Sequence, residues 1–155
     1  MRVISVDSSN LEEALAAIRR GHVFVRFHAT FCVHCTRMQK DWTAMTGSLL
    51  ADKRLPVHAL EGEDEVVVVE MESAFMGRLP PALKQRVRAY PMMLELQGGR
   101  VMGEHKGARK SADMKSWIIT NCAPKPQAPS APRAPPPRRV AARPVQGRRV
   151  AMRFG

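Results

Sequence analysis

No stretch of this sequence approaches the ~18 uninterrupted apolar residues of a spanning helix, which excludes one on length. The apolar run inside Met1–Asp7 is far shorter than the core of a secretory signal, and an acid follows it at once. The expectation is therefore no signal peptide and no membrane partner, and a cytoplasmic site or, for a viral protein, the virion. Cysteine is limited to Cys32, Cys35 and Cys122. In a reducing compartment a close pair is a catalytic, redox-sensing or metal-binding motif before it is a structural bridge. Aromatic residues make up only 5 % of the chain, and Pro and Gly together number 22 of 155 without a repeat period, so neither a collagen nor a coiled coil fits. The last 33 residues contain no acid at all.

What is present divides the chain in two. The formal charge of +11 is concentrated, because Ala123–Gly155 carries eight basic residues and eight of the twelve prolines. Residues 1–122 have 17 Lys and Arg against 14 Asp and Glu, a net charge of only +3. A length of 155 residues suits one core plus an appendage. The reading is a nearly balanced domain over 1–122 and a Pro/Arg-rich extended tail over 123–155.

Within the domain, Arg2–Val6 reads as a short strand. Ser9 followed by Glu12 reads as a capping box before a helix with Leu11, Leu15 and Ile18 on one face, closed by Gly21. His22–His28 is a central strand, followed by a helical pattern to about Leu50 with Met38, Trp42, Met45 and Leu49 aligned. Residues 51–65 form a polar connection with Pro56 and an acidic cluster, Glu61, Glu63, Asp64 and Glu65. Val66–Met71 is a strand covered on both faces. Pro80-Pro81 opens a helix to about Val87. Met92–Leu96, the Gly98-Gly99 turn and Arg100–Lys106 form a hairpin, and Ser111–Asn121 is a last helix with Met114, Trp117 and Ile118 inward. The expected class is α/β, a mixed sheet between helices.

Cys32-Val33-His34-Cys35 falls where a strand gives way to a helix. Unpaired N–H groups and the helix dipole stabilise a thiolate there, and only the thiolate attacks a disulfide. Cys32, at the helix start, is the exposed nucleophile; Cys35, one turn in, resolves the mixed disulfide. The competing reading is a zinc half-site, with His34, His28 or His58 completing it. Zinc takes about four ligands and no second cysteine pair exists, so no metal is expected.

The segment Phe24-Val25-Arg26-Phe27-His28-Ala29-Thr30-Phe31-Cys32-Val33-His34-Cys35 resembles the active-site segment of the thioredoxin-like superfamily, and Ala89-Tyr90-Pro91 resembles its cis-proline segment. Gly98-Gly99 and Gly107-Ala108 fall at spacings that the family also uses, so the resemblance covers about residues 2–122. It implies a thioredoxin fold with Cys32 attacking, Cys35 resolving, and Tyr90 and a cis Pro91 meeting an extended substrate. It implies protein thiols and disulfides as partners and no bound cofactor. His34 before the second cysteine is similar to protein disulfide isomerases and bacterial disulfide oxidases; a cationic imidazole there favours thiolate and a more oxidising couple. Two residues depart from the pattern. Arg26 stands where many thioredoxins bury an acid, and His28 where they often have Trp. Arginine accepts no proton, though its charge lowers a nearby thiol pKa, and an ion pair with Glu95 or Glu70 is the structural alternative.

Cys122 reads as a buried, idle thiol, and Met38, Met45, Met92, Met93 and Met114 as core packing. The tail repeats Arg138-Arg139-Val140-Ala141-Ala142-Arg143 as Arg148-Arg149-Val150-Ala151-Met152-Arg153, a period of ten. Proline-rich and almost without aromatics, it is expected as an extended arm docking on an acidic protein surface or nucleic-acid phosphate without base-specific stacking. Pro129-Ser130-Ala131-Pro132 resembles the short late-domain motif of viral proteins. Two functions follow: a thiol–disulfide oxidoreductase, or a structural component of a larger assembly, such as a minor capsid protein of a large virus or a ribonucleoprotein subunit, with the fold as scaffold.

Overall fold

The computed structural model describes residues 1–55 and 65–122. The elements are β1 (Arg2–Ser5), α1 (Leu11–Arg20), β2 (His22–His28), α2 (Val33–Leu49), β3 (Val66–Glu72), a 3-10 helix (Ser73–Arg78), α3 (Pro81–Lys84), β4 (Met92–Gln97), β5 (Arg100–Glu104) and α4 (Ser111–Asn121). They build one five-stranded sheet in the order β1-β3-β2-β4-β5. β1, β3 and β2 are mutually parallel, while β4 and β5 run antiparallel to their neighbours. This is the expected α/β thioredoxin fold.

The two-residue period of the strands sorts side chains between two apolar layers. Val23, Val25 and Phe27 of β2 join Val67 and Val69 of β3 under α1, the 3-10 helix and α3. On the other face Phe24, Val66 and Val68 meet Met38, Trp42, Met45 and Leu49 of α2 and Met114 and Ile118 of α4. β2 and β3 are covered on both faces, which is why they read as near-continuous apolar runs. Two polar ties seat α4 on α2: the Asp41 carboxylate accepts from the Ser111 N–H at 3.0 Å, and Lys115 Nζ donates to the Ser48 carbonyl at 3.0 Å. The methionines singled out in the sequence are packing residues, four of them buried and Met92 half-buried.

Three local expectations change. Ser9 and Glu12 form no capping box. The Asp7 carboxylate reaches that turn first, accepting from the Ser9 N–H, the Ser9 hydroxyl and the Asn10 N–H, so α1 starts behind Asn10. Glu12 turns outward to Arg78, 2.6 Å away. The helix expected to reach Val87 stops at Lys84, because beyond Leu83 the next three residues are exposed and nothing packs them into a further turn. Ahead of it lies the 3-10 helix that the sequence reading missed. Its signal is Glu72, whose carboxylate accepts from the Ala74 N–H at 2.9 Å. The return strand ends at Glu104 rather than Lys106.

The β4–β5 turn needs glycine twice over. Gly98 and Gly99 have φ of +56° and +77°, and a Cβ on Gly99 would lie 3.3 Å from the Arg19 carbonyl oxygen. Gly99→Ala is expected to cost about 1–2 kcal/mol, the left-handed penalty for an L-residue. A urea titration of the reduced protein measures it, and an unchanged midpoint would show that the turn relaxes freely.

Candidate active site

Cys32 is the N-cap of α2, with its own N–H donated to the Ala29 carbonyl at 3.1 Å. Its sulfur accepts the Cys35 N–H at 3.2 Å, and its thiol donates to the Tyr90 carbonyl at 3.4 Å. The Tyr90–Pro91 bond is cis. So the first turn of α2 and the segment before β4 meet at one sulfur atom. Cys32 is half-buried rather than freely exposed, and Cys35 is buried. Phe31 stands 81 % exposed beside them and meets the Tyr90 ring edge-on, with centroids 6.4 Å apart.

The two thiols differ in acidity. Burial raises the Cys32 pKa, but the hydrogen bond from Cys35, the backbone N–H groups of Cys35 and His34, and the charge of Arg109 together bring it below the ordinary thiol value. Burial pushes Cys35 up, helped by its bond to Cys32 and only partly opposed by Ala29 and Arg26. The first turn of α2 contains no acid to counter this polarity. A group with a lowered pKa ionises earlier as pH rises. Alkylation of the reduced protein by iodoacetamide is therefore expected to label Cys32 first, with a rate–pH midpoint below that of a free thiol, and Cys35 only at higher pH. Cys122, fully buried at the end of α4 and pushed up to about 11 by burial, is expected to label only on unfolding. Equal labelling of Cys32 and Cys35 at every pH would contradict this ordering.

Arg26 lies beneath the motif with no exposed surface. Strand period puts it on the α2 side of β2, and the parallel register sets Glu70 of β3 opposite it on the same face. Its Nη1 donates to Glu70 Oε1 at 2.9 Å, its Nη2 to the Cys35 carbonyl at 3.3 Å, and its guanidinium carbon lies 5.2 Å from the Trp42 ring centroid. Of the two acids named from the sequence, Glu70 is the partner. Glu95 sits opposite Phe24 and takes His22 Nε2 at 3.2 Å. Arg26 Nε is buried without a hydrogen-bond partner among the described residues. His28, 3.7 Å from Glu70, is held below the ordinary imidazole range by burial and by Arg26.

The structure thus brings together Cys32, Cys35, Tyr90 and Pro91, with Arg26 behind them. The exposed His34 side chain lines a groove with Arg37 and Arg109. Sequence reading missed Arg109, whose charge acts on Cys32 because the fold brings the Gly107-Ala108 loop back beside α2. No group of three or more His, Cys, Asp or Glu able to hold a metal ion occurs among the described residues. His58, the acids Glu61, Glu63 and Asp64, and the tail arginines Arg138, Arg139, Arg143, Arg148, Arg149 and Arg153 lie outside them.

Known proteins are similar to this chain in sequence and in fold. Among curated proteins, the chain is 27 % identical over 118 residues to a protein disulfide-isomerase of Oryctolagus cuniculus, covering 75 % of this chain and 20 % of that one. It is 21 % identical over 102 residues to a thioredoxin domain-containing protein 5 homolog of Drosophila melanogaster, covering 66 % and 22 %. The chain thus spans about a fifth of the length of these relatives. Among solved structures, the first thioredoxin domain of mouse protein disulfide-isomerase A4 superposes with a TM-score of 0.53 at 18 % identity, over 92 % of this chain and 86 % of that one. The zinc-bound form of human ERp44 superposes with 0.57 at 18 % identity, over 79 % and 32 %. The sequence model of the family described as Thioredoxin matches residues 2–120, a span that takes in both motif cysteines, the cis-proline and the whole sheet. By that match the chain belongs to the thioredoxin family.

Proposed function

We propose that this chain is a thiol–disulfide oxidoreductase that exchanges disulfides with protein substrates through Cys32 and Cys35. The observation that carries the reading is the Cys32 sulfur held between the Cys35 N–H at the start of α2 and the Tyr90 carbonyl at the cis-proline. In the reductive direction the Cys32 thiolate attacks one sulfur of a substrate disulfide; a mixed disulfide forms and the other substrate sulfur leaves as a thiolate. Cys35 then loses its proton to solvent and attacks Cys32, forming the Cys32–Cys35 disulfide and releasing the second substrate thiol. Two electrons pass to the substrate, and the reverse sequence oxidises a dithiol. Tyr90 and Pro91 border the sulfur and are the surface that a substrate backbone meets. Arg26 is a positioning residue whose charge favours the Cys35 thiolate in place of a base.

Reduced protein mixed with the uncharged hydroxyethyl disulfide tests this. The expected product is a chain lighter by two hydrogens, with the new bond mapped by mass spectrometry to Cys32 and Cys35 and with Cys122 unmodified. A chain that keeps all three thiols, or forms another pair, overturns the reading. The scaffold alternative has no observation among the described residues in its favour. Docking of the tail on acidic protein or phosphate rests on its sequence alone.

A further inference from the structure

Two shallow grooves, of about 200 and 230 Å3, run beside the motif and share Met38 and Arg109 in their walls. One contains Pro91, next to the Tyr90 whose carbonyl accepts from the Cys32 thiol, and the other His34, two residues beyond Cys32; Cys32 itself lines neither. Their charges are unequal. Arg37, Lys106, Arg109 and Lys110 line them, against Asp41 and Glu104. Asp41 is already engaged, accepting from the Ser111 N–H at 3.0 Å and lying 3.5 Å from Lys110 Nζ. Arg37, Lys106 and Arg109 are exposed and have no carboxylate partner among the described residues. Arg86 and Arg88 are exposed on the approach to Pro91 as well.

Resting on the oxidoreductase reading, we propose that the reactive cysteine of the protein partner lies in an extended acidic segment, whose carboxylates are taken by Arg37, Lys106 and Arg109. Three unpaired cations along two adjoining grooves attract anions at long range, and grooves lined mostly by one sign of charge raise the encounter rate. A polypeptide fits better than a nucleic acid. The walls hold Met38, Pro91, Met92 and Met93 and no Phe, Tyr or Trp ring for a base to stack on, and the reactive group of the motif beside them is a thiol, which needs a cysteine partner. The Phe31–Tyr90 pair, with Phe31 exposed and Tyr90 half-buried, lines neither groove, which leaves a separate apolar contact beside the acidic one.

The test uses the reduced full chain and three peptide disulfides that differ only in whether Glu, Gln or Lys flanks the cysteine. Each second-order rate of Cys32–Cys35 oxidation is divided by the same peptide's rate with dithiothreitol, which removes intrinsic reactivity. Electrostatic steering predicts that the Glu peptide reacts roughly tenfold faster than the Gln peptide at low salt, with the Lys peptide slower still. The advantage should shrink as ionic strength rises. The double variant Arg37→Glu with Lys106→Glu, checked for folding by its melting temperature, should slow the Glu peptide and speed the Lys peptide. Hydroxyethyl disulfide separates the two claims. If it does not oxidise the wild-type chain, the oxidoreductase reading fails. If it does, and the three peptides react within twofold of one another, the acidic-partner inference fails alone. A short oligodeoxynucleotide that blocks the Glu peptide at lower concentration than its Cys→Ser analogue does would also overturn it, by marking a phosphate site.

Discussion

Cys32→Ser is expected to bring disulfide exchange down to the background rate of the substrate disulfide alone, while Cys35→Ser stops the reaction half-way with one mixed disulfide per chain. The asymmetry follows from the acidity of the two thiols. Cys32 has its thiolate favoured by the N–H groups at the start of α2 and by Arg109, whereas burial holds Cys35 protonated until it is needed. A serine hydroxyl at position 32 does not ionise near neutral pH, so the first bond never forms. With serine at position 35 the first bond forms and nothing resolves it. Non-reducing electrophoresis against a peptide disulfide reads both outcomes. Turnover surviving in the Cys32 variant, or an adduct failing to accumulate in the Cys35 variant, would reassign the roles.

Arg26→Ala is expected to lower stability by about 3–5 kcal/mol, because truncating one partner of a buried ion pair leaves the other without its countercharge. It also empties the space under Trp42 and removes the donor to the Cys35 carbonyl. Replacing both partners, Arg26→Met with Glu70→Gln, is expected to bring stability back to within about 2 kcal/mol of wild type, since a neutral pair of similar volume strands no charge. Urea unfolding with an unchanged m-value measures both. A cost below about 1 kcal/mol for Arg26→Ala would mean that water or a neighbouring cation replaces the guanidinium. The folded double variant carries a second readout. Without the Arg26 charge the Cys35 thiolate is less favoured, so the mixed disulfide with substrate should persist longer than in wild type, an effect that a purely structural role would not produce.

Sheet membership and motif placement were legible because they depend on local pattern. Val66–Val69 reads as a two-sided strand from composition, and Gly98-Gly99 reads as the turn whose positive φ values it supplies. Helix ends were less legible. Ser9 and Glu12 satisfy the capping-box spacing, yet Asp7, two residues before Ser9, takes the Ser9 N–H that the Glu12 carboxylate would have accepted. The short α3 shows the same limit, since its length depends on what packs against it, and periodicity does not carry that information.

By itself the sequence determined the family, the order of the elements, the thiol pair at the start of a helix and the concentration of positive charge in the last 33 residues. Those features rest on residue type and on spacing within one element. Tertiary structure alone decided which acid pairs with Arg26, because parallel register aligns Glu70 with it and antiparallel register hands Glu95 to Phe24. It also decided that Arg109, 77 positions after Cys32, contributes its charge to that sulfur, and that the Tyr90 carbonyl accepts the hydrogen bond of the Cys32 thiol. Coulombic and hydrogen-bond energies depend on distance in space, and the fold sets that distance.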